Sequence, residues 1–595
     1  MRMIIYYLKP YFGRMFLGFL IKVAGTFMDL GLPWVLAYII DDIIPLGSVS
    51  LILIWGIVML VLSVGARMGN IIANRMASRV AGNTIQKLRH DLFYKIEQLS
   101  GKQIDHFSIP SLVSRMTSDT YNIHQMVGMM QRLGVRAPII LIGGIIITAT
   151  LEPVLTLILL AILPLLAVVV YVVSKKGIPL YTKSQLAVDQ MIRTVRENIT
   201  GIRVVKALSK TEYEQNRFAK VNDLVVDKEL QAGSTMAVIN PVMNLLLNIG
   251  LTLVVVFGAY RVNSGASEVG KIVAFLSYFT MILNAMLMIT RIFVIISKAT
   301  ASASRINEVL ESEIDLKVYS KNMYPNNSNG VHIEFSNVSF AYNKIADDHN
   351  RENVGNDNIM SSNINEKEES VCITDINFQL KRGEKLGIIG ATGSGKSTLI
   401  NLLMRYYDVD NGAIFVDGED IRTMELQTLR KKFGVVFQND TIFADTIKEN
   451  IDLRRGIEKD TIVKGAIDAQ AYEFIEQLDE KFQYKIATNG ANLSGGQKQR
   501  LLVARALAGN PEILVLDDSS SALDYKTDSK LRKAIHEHLK DTTTILIAQR
   551  ISSIMQMDHI LVLEDGNIIG YGNHEELLKS CEVYGEIYQS QMGDH

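Results

Sequence analysis

The chain has 595 residues, with 61 Lys and Arg against 62 Asp and Glu, 48% hydrophobic and 21% charged residues, and a mean hydropathy of +0.17. The length calls for several domains. The composition excludes collagen-like, disulfide-rich and largely disordered classes, and the near-neutral charge argues against nucleic acid as a partner. Positive hydropathy beside so many charges fits two unlike halves averaged together. The two cysteines, Cys372 and Cys581, match no zinc spacing and read as ordinary thiols in a reducing compartment.

Up to about residue 300 the sequence is dominated by apolar runs, at about 15–40, 50–74, 130–150, 153–174, 238–261 and 271–297. Each meets the roughly 20 apolar residues that a membrane-crossing helix needs. The first run is too long for a cleavable signal peptide and is followed by Asp41-Asp42. The third and fourth runs are separated by Leu151-Glu152-Pro153, which predicts a tight helical hairpin. Arg2, Lys9 and Arg14 precede the first run. Arg75, Arg79, Lys87 and Arg89 follow the second, and Lys175, Lys176, Arg193 and Arg196 follow the fourth. This bias predicts a cytoplasmic N-terminus and cytoplasmic long connections, with Arg261 and Lys271 a mild exception.

Those connections, at 75–100 and 183–235, keep helical spacing, as in Leu88, Leu92, Ile96 and Leu99. About 25 residues each would carry the helices roughly 35–40 Å beyond the membrane. Within or near the spans lie Lys22, Asp29, Arg67, Arg132, Arg136 and Arg291. Such residues are costly in lipid and turn toward the bundle interior or a cavity. Arg291 is the first candidate for a cavity residue, with snorkelling or a structural ion pair as the alternative. Met281, Met286 and Met288 read as helix packing rather than as a cargo surface.

From about 331, short β-branched runs alternate with helical patterns, at Gly387–Gly390, Ala413–Val416, Gly434–Phe437, Ile513–Leu516, Thr544–Ile547 and His559–Leu563. The expectation is an α/β domain around a parallel sheet. The stretch 320–330 reads as a linker. The Asn-rich, polar stretch 343–370 reads as a disordered surface insertion, or alternatively as a regulatory or partner-binding segment. The predicted fold class is a membrane all-α six-helix domain over 1–319 followed by an α/β P-loop nucleotide-binding domain over 331–595.

The strand Leu386–Gly390 runs into Ala391-Thr392-Gly393-Ser394-Gly395-Lys396-Ser397-Thr398 and then the helical Leu399–Met404. This is a P-loop between a strand and a helix. Its glycines let backbone N–H groups converge on phosphate oxygens, and the helix N-terminus adds favourable charge. Lys396 is the candidate for the β- and γ-phosphates and Ser397 for Mg²⁺. A second apolar strand, Ile513–Leu516, ends in Asp517-Asp518, the Walker B arrangement, with Asp517 the candidate to hold Mg²⁺. Between them, Ser494, Gly495, Gly496 and Gln497 open a helix. Taken alone they could be a further anion site or a plain N-cap.

With these motifs in order, the chain resembles an ATP-binding cassette exporter half-transporter over nearly its whole length. Leu493–Gln497 is similar to the family's LSGGQ signature. Gln438 matches the Q-loop, which adds it to the Mg²⁺ and catalytic residues. Tyr342 matches the aromatic residue that stacks on adenine, and Ser521–Asp524 matches the D-loop. The resemblance implies ATP and Mg²⁺ as cofactors. It also implies a dimer in which each nucleotide lies between one chain's P-loop, Gly390–Thr398, and the other chain's signature. Coupling helices are implied at Ile104–Ser114 and Lys206–Phe218. The expected partners are a second half-transporter, membrane lipids and a small-molecule, lipid or peptide cargo. The expected location is a bacterial plasma membrane, with the nucleotide domain cytoplasmic.

The departures are informative. The family's general base is usually a Glu after the Walker B Asp; this chain has Asp518, one methylene shorter. The family's switch histidine is replaced by Gln549, which can hydrogen-bond but cannot carry a proton. Thr488-Asn489-Gly490 stands where exporters often carry Glu-Arg-Gly. The expectation is a chain whose own P-loop site hydrolyses slowly, with Asp518, Gln549, Gln438 and Asp524 the catalytic positions. Its intact signature completes the competent site of a different partner. A homodimer with two slow sites is the alternative. A nucleotide-regulated sensor or gated channel is the alternative to a pump.

Overall fold

The computed structural model describes residues 1–320, 330–342, 370–438, 440–519 and 522–593. Most of the expected linker, 320–330, and of the expected insertion, 343–370, lies outside the described residues, at 321–329 and 343–369. The chain forms two compact units, one of Met1–Glu97 with Pro110–Ser312, the other of Gln98–Ile109 with Glu313–His595.

The first unit is helical: α1 (Arg2–Leu8), α2 (Phe12–Tyr38), α3 (Val49–Glu97), the short α4 (Gly101–Phe107, which belongs to the second unit), α5 (Ile109–Ser114), α6 (Thr120–Leu151), α7 (Pro153–Thr200), the short α8 (Ile202–Ala207), α9 (Thr211–Ala237), α10 (Ile239–Asn263) and α11 (Val269–Glu311). Among the described residues six helical stretches are long and apolar enough to cross a membrane, and they contain the six predicted runs. α3 alone has 49 residues, about 74 Å of helix against a hydrocarbon layer of about 30 Å. The predicted extensions are therefore continuous with the spans. On α3, Leu53, Ile57, Leu60 and Val61 are each at least 60% exposed, as an apolar face turned to lipid requires.

Side chains fix the bundle at both ends. Glu152 breaks helix between α6 and α7, because the residue before a proline avoids the helical region. Its carboxylate is buried and accepts from Arg261 Nε at 3.1 Å. Asp41 accepts from the backbone N–H groups of Gly270 and Lys271 at 2.6 and 2.9 Å. It thus caps the first turn of α11 from a distant part of the chain. At the opposite end the buried Asp119 is held by Arg305 and by the Ser302 hydroxyl at 2.8 Å. Between them Phe275, Tyr278, Phe279 and Ile282 of α11 and Leu155, Leu159 and Leu166 of α7 belong to one buried apolar cluster.

The expected coupling segments each span two helices: 104–114 covers the end of α4 and all of α5, and 206–218 covers the end of α8 and the start of α9. α4 starts at Gly101 because Ser100 and Gln103 form a reciprocal capping box. α8 is bounded by Gly201 and by Ser209, whose φ of 52° ends the turn before α9 begins. α4 packs within the second unit. The Gly101 N–H donates to Tyr406 O at 3.1 Å and the Tyr407 hydroxyl donates to Asp105 Oδ2 at 2.6 Å. A Cβ on Gly101 would lie 2.8 Å from the Tyr407 ring. Burial and the Asp105 carboxylate push the Tyr407 hydroxyl pKa up, so it stays a donor. Tyr407→Ala should raise amide exchange across 101–107 about tenfold or more, as loss of one hydrogen bond and its packing implies. Exchange in the P-loop strand should not change, and unaltered exchange at 101–107 would contradict this docking role.

The second unit has two sheets. Their strands are β1 (Val331–Tyr342), β2 (Ser370–Lys381), β3 (Lys385–Gly390), β4 (Asn411–Val416), β5 (Glu419–Asp420), β6 (Phe433–Val436), β7 (Ile513–Asp517), β8 (Thr543–Ile547), β9 (His559–Glu564) and β10 (Asn567–Gly572). One sheet has the order β10-β9-β3-β8-β7-β6, parallel except for the β10 edge. The other, β2-β1-β4-β5, is antiparallel. The predicted run Ala413–Val416 thus belongs to the antiparallel sheet, not to the parallel core. β1 and β2 were absent from the predicted strands, because they pair across a long intervening segment. The parallel strands are buried on both faces, as in β7 and β8, and so read as continuous apolar runs.

Candidate nucleotide-binding site

The carboxyl ends of β3, β7 and β8 converge on one cleft, the usual ligand position in a parallel α/β sheet. The loop after β3 turns into helix α12 (Lys396–Leu403). Gly390 tolerates no side chain: a Cβ there would lie 2.1 Å from Leu563 O and 2.8 Å from Ser394 Oγ. Gly395 has φ 97°, and a Cβ would meet Ile373 Cγ2 at 2.6 Å. With Gly393 at φ 89°, the backbone curls into a cradle open to a phosphate chain. Lys396 folds back, donating to Gly390 O at 2.9 Å and Ala391 O at 2.6 Å. Burial pulls its ammonium below the usual lysine range, with Asp517 and Asp518 opposing.

The Ser397 hydroxyl donates to Asp517 Oδ2 at 2.9 Å. Thr392, Gly393, Gly395, Lys396, Ser397, Thr398, Gln438, Asp517, Asp518 and Gln549 all line a cleft of about 220 Å³. Sequence motifs spread over 158 positions, from 392 to 549, are therefore brought together. Asp518 occupies the left-handed region at φ 48°, which Asp tolerates better than most residues. The Gln549 Nε2 donates to Asp518 Oδ2 at 2.9 Å. Burial lifts the Asp518 carboxyl pKa, against Arg550, a hydrogen bond from Gln438 and Lys396.

Asp517 is buried. Burial lifts its pKa above the usual carboxylate range, the Ser397 hydrogen bond opposes this, Asp518 adds to it, and Lys396 opposes it. A carboxyl with a higher pKa folded than unfolded binds its proton more tightly in the folded state. Its charge therefore costs stability once pH rises above the unfolded value of about 3.9, and the cost is complete at neutral pH. Asp517→Asn should raise the thermal midpoint of the nucleotide-free protein at pH 7 by a few degrees, read by scanning fluorimetry. A lowered midpoint would contradict the sign.

Other predicted residues lie apart from the cleft. Tyr342 ends β1, sits edge-on to Tyr407 at 5.2 Å, and accepts from Asn401 Nδ2 of α12 at 3.3 Å. Gly390 and Ser394 shape the loop from beneath. Ser494 and Gly495 are exposed at the start of the helix Gly495–Leu507, where Ser494 and Gln497 form a capping box. Both readings of Ser494 therefore remain available, since an N-cap leaves the N-terminal N–H groups facing outward. Asp524 caps the helix Tyr525–His538 through the Thr527 N–H at 2.9 Å. Ser521 of the D-loop lies outside the described residues. Sequence reasoning missed Cys372, whose Sγ is 3.1 Å from Thr398 Oγ1 and which lines the cleft. Its position on β2 carries no local signal of this.

Comparison with known proteins follows the same division. Residues 15–286 match the ABC transporter transmembrane region and residues 373–521 match the ABC transporter family. An uncharacterised ABC transporter ATP-binding protein of Bacillus subtilis, YfiB, is 35% identical over 588 residues, covering 99% of this chain and 98% of its own. An uncharacterised ABC transporter ATP-binding protein of Mycobacterium tuberculosis is 33% identical, with 98% and 97% covered. An ATP-dependent lipid A-core flippase of Pseudomonas savastanoi is 30% identical, with 98% and 94% covered. A solved bacterial Atm1-family ABC exporter with ATP bound superposes with a TM-score of 0.79 at 22% identity, over 98% of this chain and 99% of that one, a likeness of fold. The chain belongs to the ATP-binding cassette transporters, as a membrane-integral exporter whose ATP-binding domain is of the kind that hydrolyses ATP to drive transport.

Proposed function

We infer that this chain is one half of a dimeric exporter that moves amphipathic compounds, lipids or peptides out across the plasma membrane. Its N-terminus and ATP-binding domain face the cytoplasm. Its own P-loop site binds ATP and hydrolyses it slowly, while its signature, Ser494–Gln497, completes the competent site of a different half-transporter. The lipid A-core flippase among its relatives supports a lipidic cargo.

The observation that carries the slow site is the bond from Gln549 to Asp518. A general base needs a lone pair aimed at the attacking water. Here one carboxylate oxygen is engaged by a neutral amide, on a side chain about 1.5 Å shorter than Glu. Gln549 supplies no proton and no positive charge at any pH. The hydroxyl of Ser397, the carboxylate of Asp517 and the amide oxygen of Gln438 share the cleft. This all-oxygen donor set suits a hard cation, so Mg²⁺ fits. Bound there, it would neutralise phosphate charge. Lys396 and the loop N–H groups would orient the nucleotide, and Tyr342 would stack on the adenine.

The experiment compares the purified chain with its mixture with a half-transporter carrying Glu and His at the positions matching Asp518 and Gln549. The mixture should hydrolyse ATP at an ordinary rate and the chain alone should not. Robust hydrolysis by the chain alone, abolished by Asp518→Ala, would overturn the asymmetric reading.

A further inference from the structure

Within the six apolar runs the sequence places one carboxylate, Asp29, against the cations Lys22, Arg67, Arg136 and Arg291, with Arg132 two residues inside its run and Arg261 and Lys271 at run ends. The fold gathers Asp29, Lys22, Arg132 and Arg136 where α2, α3 and α6 meet. Arg136 donates to Asp29 Oδ2 at 3.0 Å, and Asn70 Nδ2 lies 3.3 Å from the same oxygen. Lys22, only 3% exposed, donates to Asn74 Oδ1 at 3.1 Å. Arg132, one helical turn from Arg136, donates Nε to Gly128 O at 3.0 Å. Lys22 lies seven positions, about two turns, from Asp29 on the same face of α2.

The charges do not balance. Three cations stand against one carboxylate, and that carboxylate is engaged by Arg136. Among the described residues neither Lys22 nor Arg132 forms an ion pair, and Arg136 Nε and Asn70 Oδ1 are buried without a hydrogen-bond partner. Uncompensated charge in a low-dielectric interior is strongly unfavourable, and in membrane segments such residues mark substrate pathways. Arg136 lies 15 residues before the end of α6 at Leu151, about 22 Å along the helix axis. The cluster is therefore in the half of the membrane farther from the α6–α7 hairpin.

We propose that Arg132, backed by the charge of the buried Lys22, receives the anionic headgroup of a membrane amphiphile, with the Arg136–Asp29 pair and the two asparagines holding the frame. This rests on the exporter reading and names its cargo class. Arg132 is half-buried and is the direct contact; Lys22 adds charge from behind.

The test uses the full chain in detergent micelles, with native mass spectrometry reading the binding of dioleoylphosphatidic acid, dioleoylphosphatidylcholine and inorganic phosphate. Phosphatidic acid should bind at least about tenfold more tightly than phosphatidylcholine. Arg132→Gln should remove most of that preference and Arg132→Lys should keep it. Arg67→Gln, a change at an exposed cation on α3, should leave it intact. Because Arg132 makes a single backbone hydrogen bond, its variants are compared as monodisperse folded protein. Equal binding of the two lipids, or a preference that survives Arg132→Gln, overturns the site. Inorganic phosphate competing as well as phosphatidic acid overturns the amphiphile assignment. ATP-driven flux of a neutral amphiphile in vesicles, without anionic preference, would leave the exporter standing and the site refuted. Selective binding without ATP-driven flux of any amphiphile would do the reverse.

Discussion

Changing Asp518→Glu and Gln549→His together raises the ATPase rate of the purified chain by about 10²-fold. The first change restores about 1.5 Å of reach, and misplacing a catalytic group by about 1 Å costs on this order. The second replaces a neutral amide, now bonded to Asp518 at 2.9 Å, with a side chain that can carry charge near neutral pH. Because the two residues touch, the effects should not add: each single change recovers less than half of the double effect on a logarithmic scale. The double variant should also acquire a pH dependence between about 6 and 7, from the new imidazole, that the parent lacks. Phosphate release at saturating ATP checks both. An unchanged rate in the double variant would place the deficit elsewhere.

In the complex with a competent partner, Gly495→Asp in this chain lowers ATP hydrolysis by at least about 10²-fold, whereas Lys396→Ala in this chain lowers it by less than tenfold. Ser494 and Gly495 are exposed at a helix N-terminus, a natural seat for a phosphate. A carboxylate there meets the incoming phosphate with like charge. In the proposed asymmetric dimer Lys396 serves the slow site, so its loss should weaken nucleotide retention rather than the main turnover. Equal losses from the two variants would mean two equivalent sites, as in a homodimer.

What the sequence revealed was local. The six apolar runs, the glycine pattern around Lys396 and the acidic end of β7 each announce themselves within about 20 residues, because burial in lipid and phosphate binding impose patterns on consecutive positions. The convergence of Gln438 and Gln549 on the cleft of Lys396 and Asp517 was legible only through the family resemblance. What was not legible is long-range. β1 and β2 pair across positions 343–369, and nothing in either strand names its neighbour. The run Ala413–Val416 looks alike in a parallel or an antiparallel sheet. The position of α4 is set by a capping box and by the Tyr407–Asp105 bond between residues 302 positions apart. Cys372 reaches the nucleotide cleft only because β2 runs beside the P-loop helix. The seven-residue spacing of Lys22 and Asp29 puts them on one helix face, but the charge imbalance around them depends on α6.

The proposed P-loop site retains ATP and hydrolyses it slowly. The most direct measurement loads the purified chain with radiolabelled ATP and Mg²⁺, removes free nucleotide, and follows the ATP and ADP content of the bound fraction over time. The bound nucleotide should stay ATP, with turnover below about 0.1 s⁻¹, some 10²-fold under the rate of about 10 s⁻¹ common among enzymes. Conversion of the bound ATP to ADP at about 1 s⁻¹ or faster would contradict it.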